Sequence, residues 1–134
     1  MSALRFRMAA LALFLGACAT AALPPAVRVT DLTTLAGTYS GTMKEAREYD
    51  RSARLVIQPD GNFELTASDP KGLRTLGEIK LQPDGTLRYG YKELRGSDVV
   101  LKGNCAVHEG DGQRVIVLST PDGSVITTVR RSLP

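Results

Sequence analysis

The stretch "PDGNFELTA", residues Pro59 to Ala67, decides the fold. Proline presets the first central position of a type I turn, aspartate bonds to the local backbone, and glycine takes the left-handed position that leads into the next strand. After the turn, Phe63, Leu65 and Ala67 alternate with Asn62, Glu64 and Thr66. A period of two lays an apolar row on one face of a strand and a polar row on the other. Both signals recur. Pro83-Asp84-Gly85 and Pro121-Asp122-Gly123 repeat the turn, and "TLRYGYK" (86–92) repeats the alternation with Leu87, Tyr89 and Tyr91. A calcium loop needs several oxygen ligands converging from alternate positions, and each of these turns offers one carboxylate, so their role is chain reversal.

Between turns the pattern predicts strands near 38–45, 52–58, 62–68, 74–81, 86–92, 97–102, 105–109, 113–119 and 124–130. The run "DVVLKGNCAVHE" (98–109) reads either as two short strands around Gly103-Asn104 or as one long bulged strand, giving eight or nine in all. Helical spacing appears nowhere over a useful length. Short connections force antiparallel neighbours, and so many strands in about one hundred residues close on themselves to remove exposed edges. The expected fold is therefore all-β, a single antiparallel up-and-down barrel of about eight strands. An orthogonal β-sandwich is the alternative. The barrel domain covers residues 30–134, one core's worth of chain.

What precedes it is of another kind. Arg5 and Arg7 form a basic start, Met8 to Leu15 a short apolar run, and Gly16, Ala17 and Ala19 are small residues suited to a peptidase groove. This is the pattern of an export signal, and the apolar run is far below the roughly 20 residues that a membrane-spanning helix needs. Residues 18–29 follow as a small, apolar stretch with Pro24-Pro25, expected as a flexible, extended spacer.

Leu15-Gly16-Ala17-Cys18 resembles the lipobox of bacterial lipoproteins. The resemblance implies a signal peptide over 1–17, cleavage before Cys18, and acylation of the cysteine by chains such as palmitate. Two or three acyl chains hold a protein to a membrane far more firmly than one. Ala19 stands where members retained in the inner membrane carry aspartate, which implies the outer membrane, with the domain facing the periplasm. Ordinary cleavage after Ala19 or Ala22, leaving a free periplasmic protein, is the alternative.

Cleavage alters the charge balance. The chain has 17 basic and 14 acidic residues, and loss of Arg5 and Arg7 leaves 15 against 14. No cluster of Lys and Arg interleaved with aromatics remains to track phosphates, which argues against nucleic acid as a partner.

"TDLTTLAGTYSG" (30–41) resembles the entry into lipocalin-type (calycin) barrels, where a short helical turn precedes Gly-x-Trp at the start of the first strand. Gly37-Thr38-Tyr39 fills that motif, with tyrosine in place of tryptophan. The resemblance implies that the aromatic closes the barrel floor under an arginine from the last strand. Arg130 stands at the matching place, with Arg131 beside it as the alternative.

Candidate chemistry is sparse. Cys105 is the one cysteine left once Cys18 is acylated, and its parity with Val99, Leu101 and Val107 predicts burial. His108, the only histidine, falls on the opposite face of an extended strand, near solvent at the "EGDG" turn, so neither a Cys–His dyad nor a shared metal site is expected. Zinc would need nitrogen and sulfur ligands that the chain lacks. The mixed-charge "KEAREYDR" (44–51) reads as a solvated hairpin tip. No cofactor, metal or catalytic set is expected, and the protein is read as a non-enzymatic binding module. Its aromatics are few: Phe63, four tyrosines and no tryptophan past the signal. A cavity would accordingly take a small apolar ligand and be lined by Leu55, Ile57, Phe63, Leu65, Leu87 and Tyr89. The alternative is a solid core and a protein-interaction or inhibitor module working on an envelope protein, since an eight-stranded barrel is just wide enough for side chains to fill.

Overall fold

Eight antiparallel strands close into one up-and-down barrel in which β8 returns to pair with β1. A computed structural model describes residues 22–45, 50–68, 72–92 and 102–134. The strands are β1 (Gly37–Glu45), β2 (Arg51–Ile57), β3 (Asn62–Ala67), β4 (Leu73–Leu81), β5 (Leu87–Tyr91), β6 (Gly103–Gly110), β7 (Gln113–Ser119) and β8 (Val125–Ser132). One turn of 3-10 helix, Leu32–Leu35, precedes β1; the Asp31 carboxylate caps it by accepting from the Thr33 N–H at 2.9 Å. The expected strand at 97–102 lies mostly outside the described residues, and β6 begins at Gly103.

The three repeated turns behave alike. Gly61, Gly85 and Gly123 each take a positive φ, and Asp60, Asp84 and Asp122 each accept from the backbone N–H two residues on, at 3.0 Å. A fourth reversal, Asp111-Gly112, has both φ angles positive, the geometry of the two-residue hairpin turn that Asp-Gly favours. Hydrogen bonds to the charged form hold all three turn carboxyls below the usual range, Asp122 at about 2.

Alternation sorts the strands as read from sequence. Phe63, Leu65 and Ala67 are buried while Asn62, Glu64 and Thr66 are not. Register carries the inward rows from strand to strand: Tyr39 lies opposite Leu55, Leu55 opposite Leu65, and Leu87 opposite Cys105. The turns at 58–61, 82–86 and 111–112 share the end of the barrel where β1 begins, called the lower end here. Glu45, Arg51 and the 120–124 turn mark the upper end.

One seam is short. β5 pairs with β6 only from Leu87↔Cys105 to Tyr89↔Gly103, whereas β6 runs beside β7 as far as Gly110. The lower half of β6 is thus left with a free edge toward β5. Residues before the barrel fill it. The Val27 N–H donates to the Val107 carbonyl at 2.9 Å, the Glu109 N–H donates to the Pro25 carbonyl at 3.1 Å, and Ala26 bridges to His108. Val29 is buried in the core cluster. From about Pro24 onward the spacer expected over 18–29 is docked along this edge through one isolated bridge, because unpaired backbone groups on β6 give it a template. His108 is correspondingly half-buried rather than solvated, its Nδ1 lying 2.9 Å from the Pro24 carbonyl.

Candidate functional site

Among the described residues, the candidate side chains gather in the barrel interior and at its closed lower end. The lower end is built from long side chains reaching to the backbone of the 3-10 turn. Leu35 plugs the opening and is almost completely buried. The Tyr39 hydroxyl donates to the Leu35 carbonyl at 2.9 Å. Arg114, inward-facing on β7, donates to the Glu109 carboxylate at 2.8 Å and to the Thr34 carbonyl. Arg131 donates to the Ala36 carbonyl at 2.6 Å, and its guanidinium carbon lies 6.0 Å from the centre of the Tyr39 ring, within cation–π range.

Arg131, and not Arg130, covers the ring. Ser40 pairs with Arg130, which places residue 131 opposite residue 39, and Arg131 continues the inward row of Thr127 and Val129. Arg130 falls on the outward face with Ser40. Gly37 serves the same closure: its φ is +145°, and a Cβ there would stand 1.9 Å from an Arg131 guanidinium nitrogen. No side chain fits at 37 while Arg131 crosses it.

Inside the barrel, Leu55, Ile57, Phe63, Leu65, Leu87 and Tyr89 all point inward, are all buried, and belong to one contiguous cluster. Phe63, Tyr89 and Tyr91 meet edge to face, with ring centres 5.6 to 6.4 Å apart. Two of these rings occupy room left by glycines. A Cβ on Gly77 would come 2.2 Å from a Phe63 ring carbon, and one on Gly103 would come 2.3 Å from a Tyr89 ring carbon. Burial raises the pKa of the Tyr89 hydroxyl, with Tyr91 beside it adding to the shift. The sequence signalled the inward row by alternation, but it gave no sign that inward glycines on β4 and β6 would seat rings from β3 and β5.

At the upper end the interior is lined by smaller groups, Ala53, Ala67 and Thr127 among them, together with Met43. Arg51 and Glu45 form an ion pair at 3.4 Å there. The middle of "KEAREYDR", residues 46–49, lies outside the described residues, as does Cys18.

Cys105 is enclosed between strands, and burial pushes its thiol pKa up to about 12, which leaves it protonated and weakly nucleophilic. His108 points to the other face. Among the described residues, no group of three or more His, Cys, Asp or Glu side chains is gathered closely enough to hold a metal ion. The outer wall carries a shallow depression of about 390 Å³ lined by hydroxyls and Arg54, including Ser40, Ser52 and Thr66. A smaller one, of about 250 Å³, lies beside Leu76, an exposed apolar side chain on β4.

Comparison of the chain with protein-family models, with curated proteins and with solved structures finds no match.

Proposed function

We propose that the chain is a lipoprotein of the bacterial cell envelope, held by an acylated Cys18 in the outer membrane and facing the periplasm. Its barrel acts there as a non-enzymatic interaction module with a side-chain-filled core. The observation that favours a filled core over a carrier cavity is the seating of the Phe63 and Tyr89 rings against Gly77 and Gly103. Room that a small apolar ligand would need at that level is taken by the protein's own aromatics.

The compartment and the anchor rest on the sequence: the basic start, the short apolar run and Leu15-Gly16-Ala17-Cys18. The lipocalin-type resemblance is supported by the meeting of Gly37, Tyr39 and Arg131 at the lower end, with Arg131 in the place expected for Arg130. The non-enzymatic reading is supported by the two residues best able to carry chemistry. The Cys105 thiol is buried and protonated, and His108 is engaged with the backbone of Pro24.

Expression with labelled palmitate, followed by native mass spectrometry of the purified full chain, tests both halves. The label should enter the native chain and be lost in Cys18→Ala. The native spectrum should show the acylated chain with no second molecule bound inside. A stoichiometric aliphatic ligand, retained by the folded protein, would overturn the filled core and restore the carrier reading.

A further inference from the structure

The hairpin of β4 and β5 is set by its turn. Asp84 accepts from the Thr86 N–H at 3.0 Å, and the Gln82 N–H donates to the Thr86 carbonyl at 2.8 Å, so the two strands leave the turn in a fixed register. With Ile79 and Tyr89 buried inside the barrel, that register puts Lys80 directly opposite Arg88 on the outer wall. Residues opposite each other on antiparallel strands have Cα atoms about 4.5–5.5 Å apart, and like charges there repel. Asn104 of β6 stands on the other side of Arg88. A third cation comes from the docked segment. The Arg28 guanidinium lies over the turn, where a Cβ on Gly85 would stand 2.8 Å from its Nη2.

Three arginines of the barrel have a carboxylate beside them: Arg51 has Glu45, Arg74 has Glu64 and Arg114 has Glu109. Among the described residues, Lys80, Arg88 and Arg28 form no ion pair and no side-chain hydrogen bond. Asp84, in the same turn, is held by the Thr86 hydroxyl and N–H, and Arg88 makes the smallest contribution to keeping it charged. Glu78 shares the outer face of β4 but lies opposite Gly90. The Nε of Arg88 is itself enclosed, with no hydrogen-bond acceptor. A buried donor without a partner and a like charge directly across are both unfavourable in the free protein. Enclosure of Nε also restricts the side chain, so its terminal nitrogens do not swing freely in solvent.

From this arrangement we infer that the outer wall of β4 and β5 binds a phosphate-class oxyanion between Lys80 and Arg88, with Arg28 as a third positive group and Asn104 as a neutral donor. An anion seated there bonds to an ammonium and a guanidinium at once, at the contacts of about 2.7–2.9 Å usual for such pairs, and removes the repulsion between them. The donors come from three segments and from different directions. A tetrahedral phosphate can meet them together, whereas a carboxylate offers its two oxygens in one plane. The phosphate can be free in solution or carried as the ester of a lipid headgroup, since both present the same oxygens. The site lies outside the barrel and stands whether or not Cys18 is acylated.

The isotope-labelled full chain, held in a nonionic maltoside detergent, is titrated with inorganic phosphate while sodium chloride keeps the ionic strength constant. Nuclear magnetic resonance signals of the Arg88 Nε–H and of the Lys80 and Asn104 amides should shift saturably. Lys80→Gln and Arg88→Gln should each weaken the apparent affinity about tenfold, as expected for loss of one charge-assisted bond. Arg54→Gln is the control and should leave the affinity unchanged, because Arg54 lies opposite Ser40 and Thr66 with no cation directly across from it. A second titration adds phosphatidylglycerol to the micelles. Saturable shifts with inorganic phosphate support a site for free phosphate, and shifts with phosphatidylglycerol alone support a headgroup site. No saturable shift in either titration, or shifts that both variants leave intact, would overturn the site. A readout without ligand is the melting temperature in phosphate-free buffer, which Lys80→Gln should raise by a few degrees by removing the repulsion. A lowered melting temperature would show that Lys80 is not set against the charge of Arg88, and would also overturn the site.

Discussion

The described residues at the two ends of the barrel differ in kind. At the lower end, long side chains cross the opening and bond to backbone carbonyls of a single helical turn: Tyr39 to Leu35, Arg114 to Thr34, Arg131 to Ala36. At the upper end, among the described residues, the interior is lined by Ala53, Ala67, Thr127 and Met43, and Glu45 pairs with Arg51. The first arrangement ties β1, β7 and β8 to the helical turn through directed bonds, of which those from Arg114 and Arg131 are charge-assisted. Such bonds contribute more than neutral ones and leave carbonyls unsatisfied when broken. The described residues of the second offer mostly small side chains and a partly exposed pair. Rigidity should therefore be concentrated at the lower end, and tolerance to change at the upper.

Substitutions can break that contrast. The largest effect is expected from Tyr39→Ala, which removes a fully buried ring, its bond to Leu35 and the surface under Arg131; about 3–5 kcal/mol should be lost in chemical denaturation. Less than 1 kcal/mol would mean that the helical turn closes the floor without it. Next comes a paired comparison that sharpens the contrast. Arg131→Met should cost about 2–3 kcal/mol through the Ala36 carbonyl and the ring face. Glu45→Gln should cost under about 1 kcal/mol, as for partly exposed ion pairs generally. Equal costs would erase the distinction between the two ends.

The smallest expected effect concerns pH. Asp122 sits in the upper-end turn with its pKa depressed to about 2 by bonds from the Ser124 N–H and hydroxyl and from Thr120. A depressed carboxylate stabilises the fold at pH above its unfolded value near 3.8, and the contribution fades as pH falls from there through about 2. In Asp122→Asn the part of the acid-induced loss of stability due to this turn should disappear, read from melting temperature between pH 5 and pH 2. An identical profile in the variant would assign the loss to other carboxylates.

Much of this fold was legible because its signals are local. A Pro-Asp-Gly turn and a row such as Phe63, Leu65, Ala67 depend on neighbours within a few residues, and the barrel follows from repeating them. The error at Arg130 had a local remedy. Counting by twos from the buried Val129 selects Arg131, and two adjacent arginines are told apart by nothing else. The docked segment had no such remedy. Alternation within Pro24–Val29 is confined to Val27-Arg28-Val29, too short to signal a strand, and its template is the uncovered edge of β6, some eighty residues away in sequence. The same holds for Gly77 and Gly103, whose neighbours' rings arrive from adjacent strands. Interior filling is a property of register, which single-strand patterns do not carry.

The enclosed thiol of Cys105 has a practical corollary. Alkylating reagents attack the thiolate, and they reach this almost wholly buried sulfur freely when β5, β6 or the segment docked beside them moves away. In a chain whose Cys18 is replaced by alanine, the rate of Cys105 modification becomes a clock for how often the closed sheet opens.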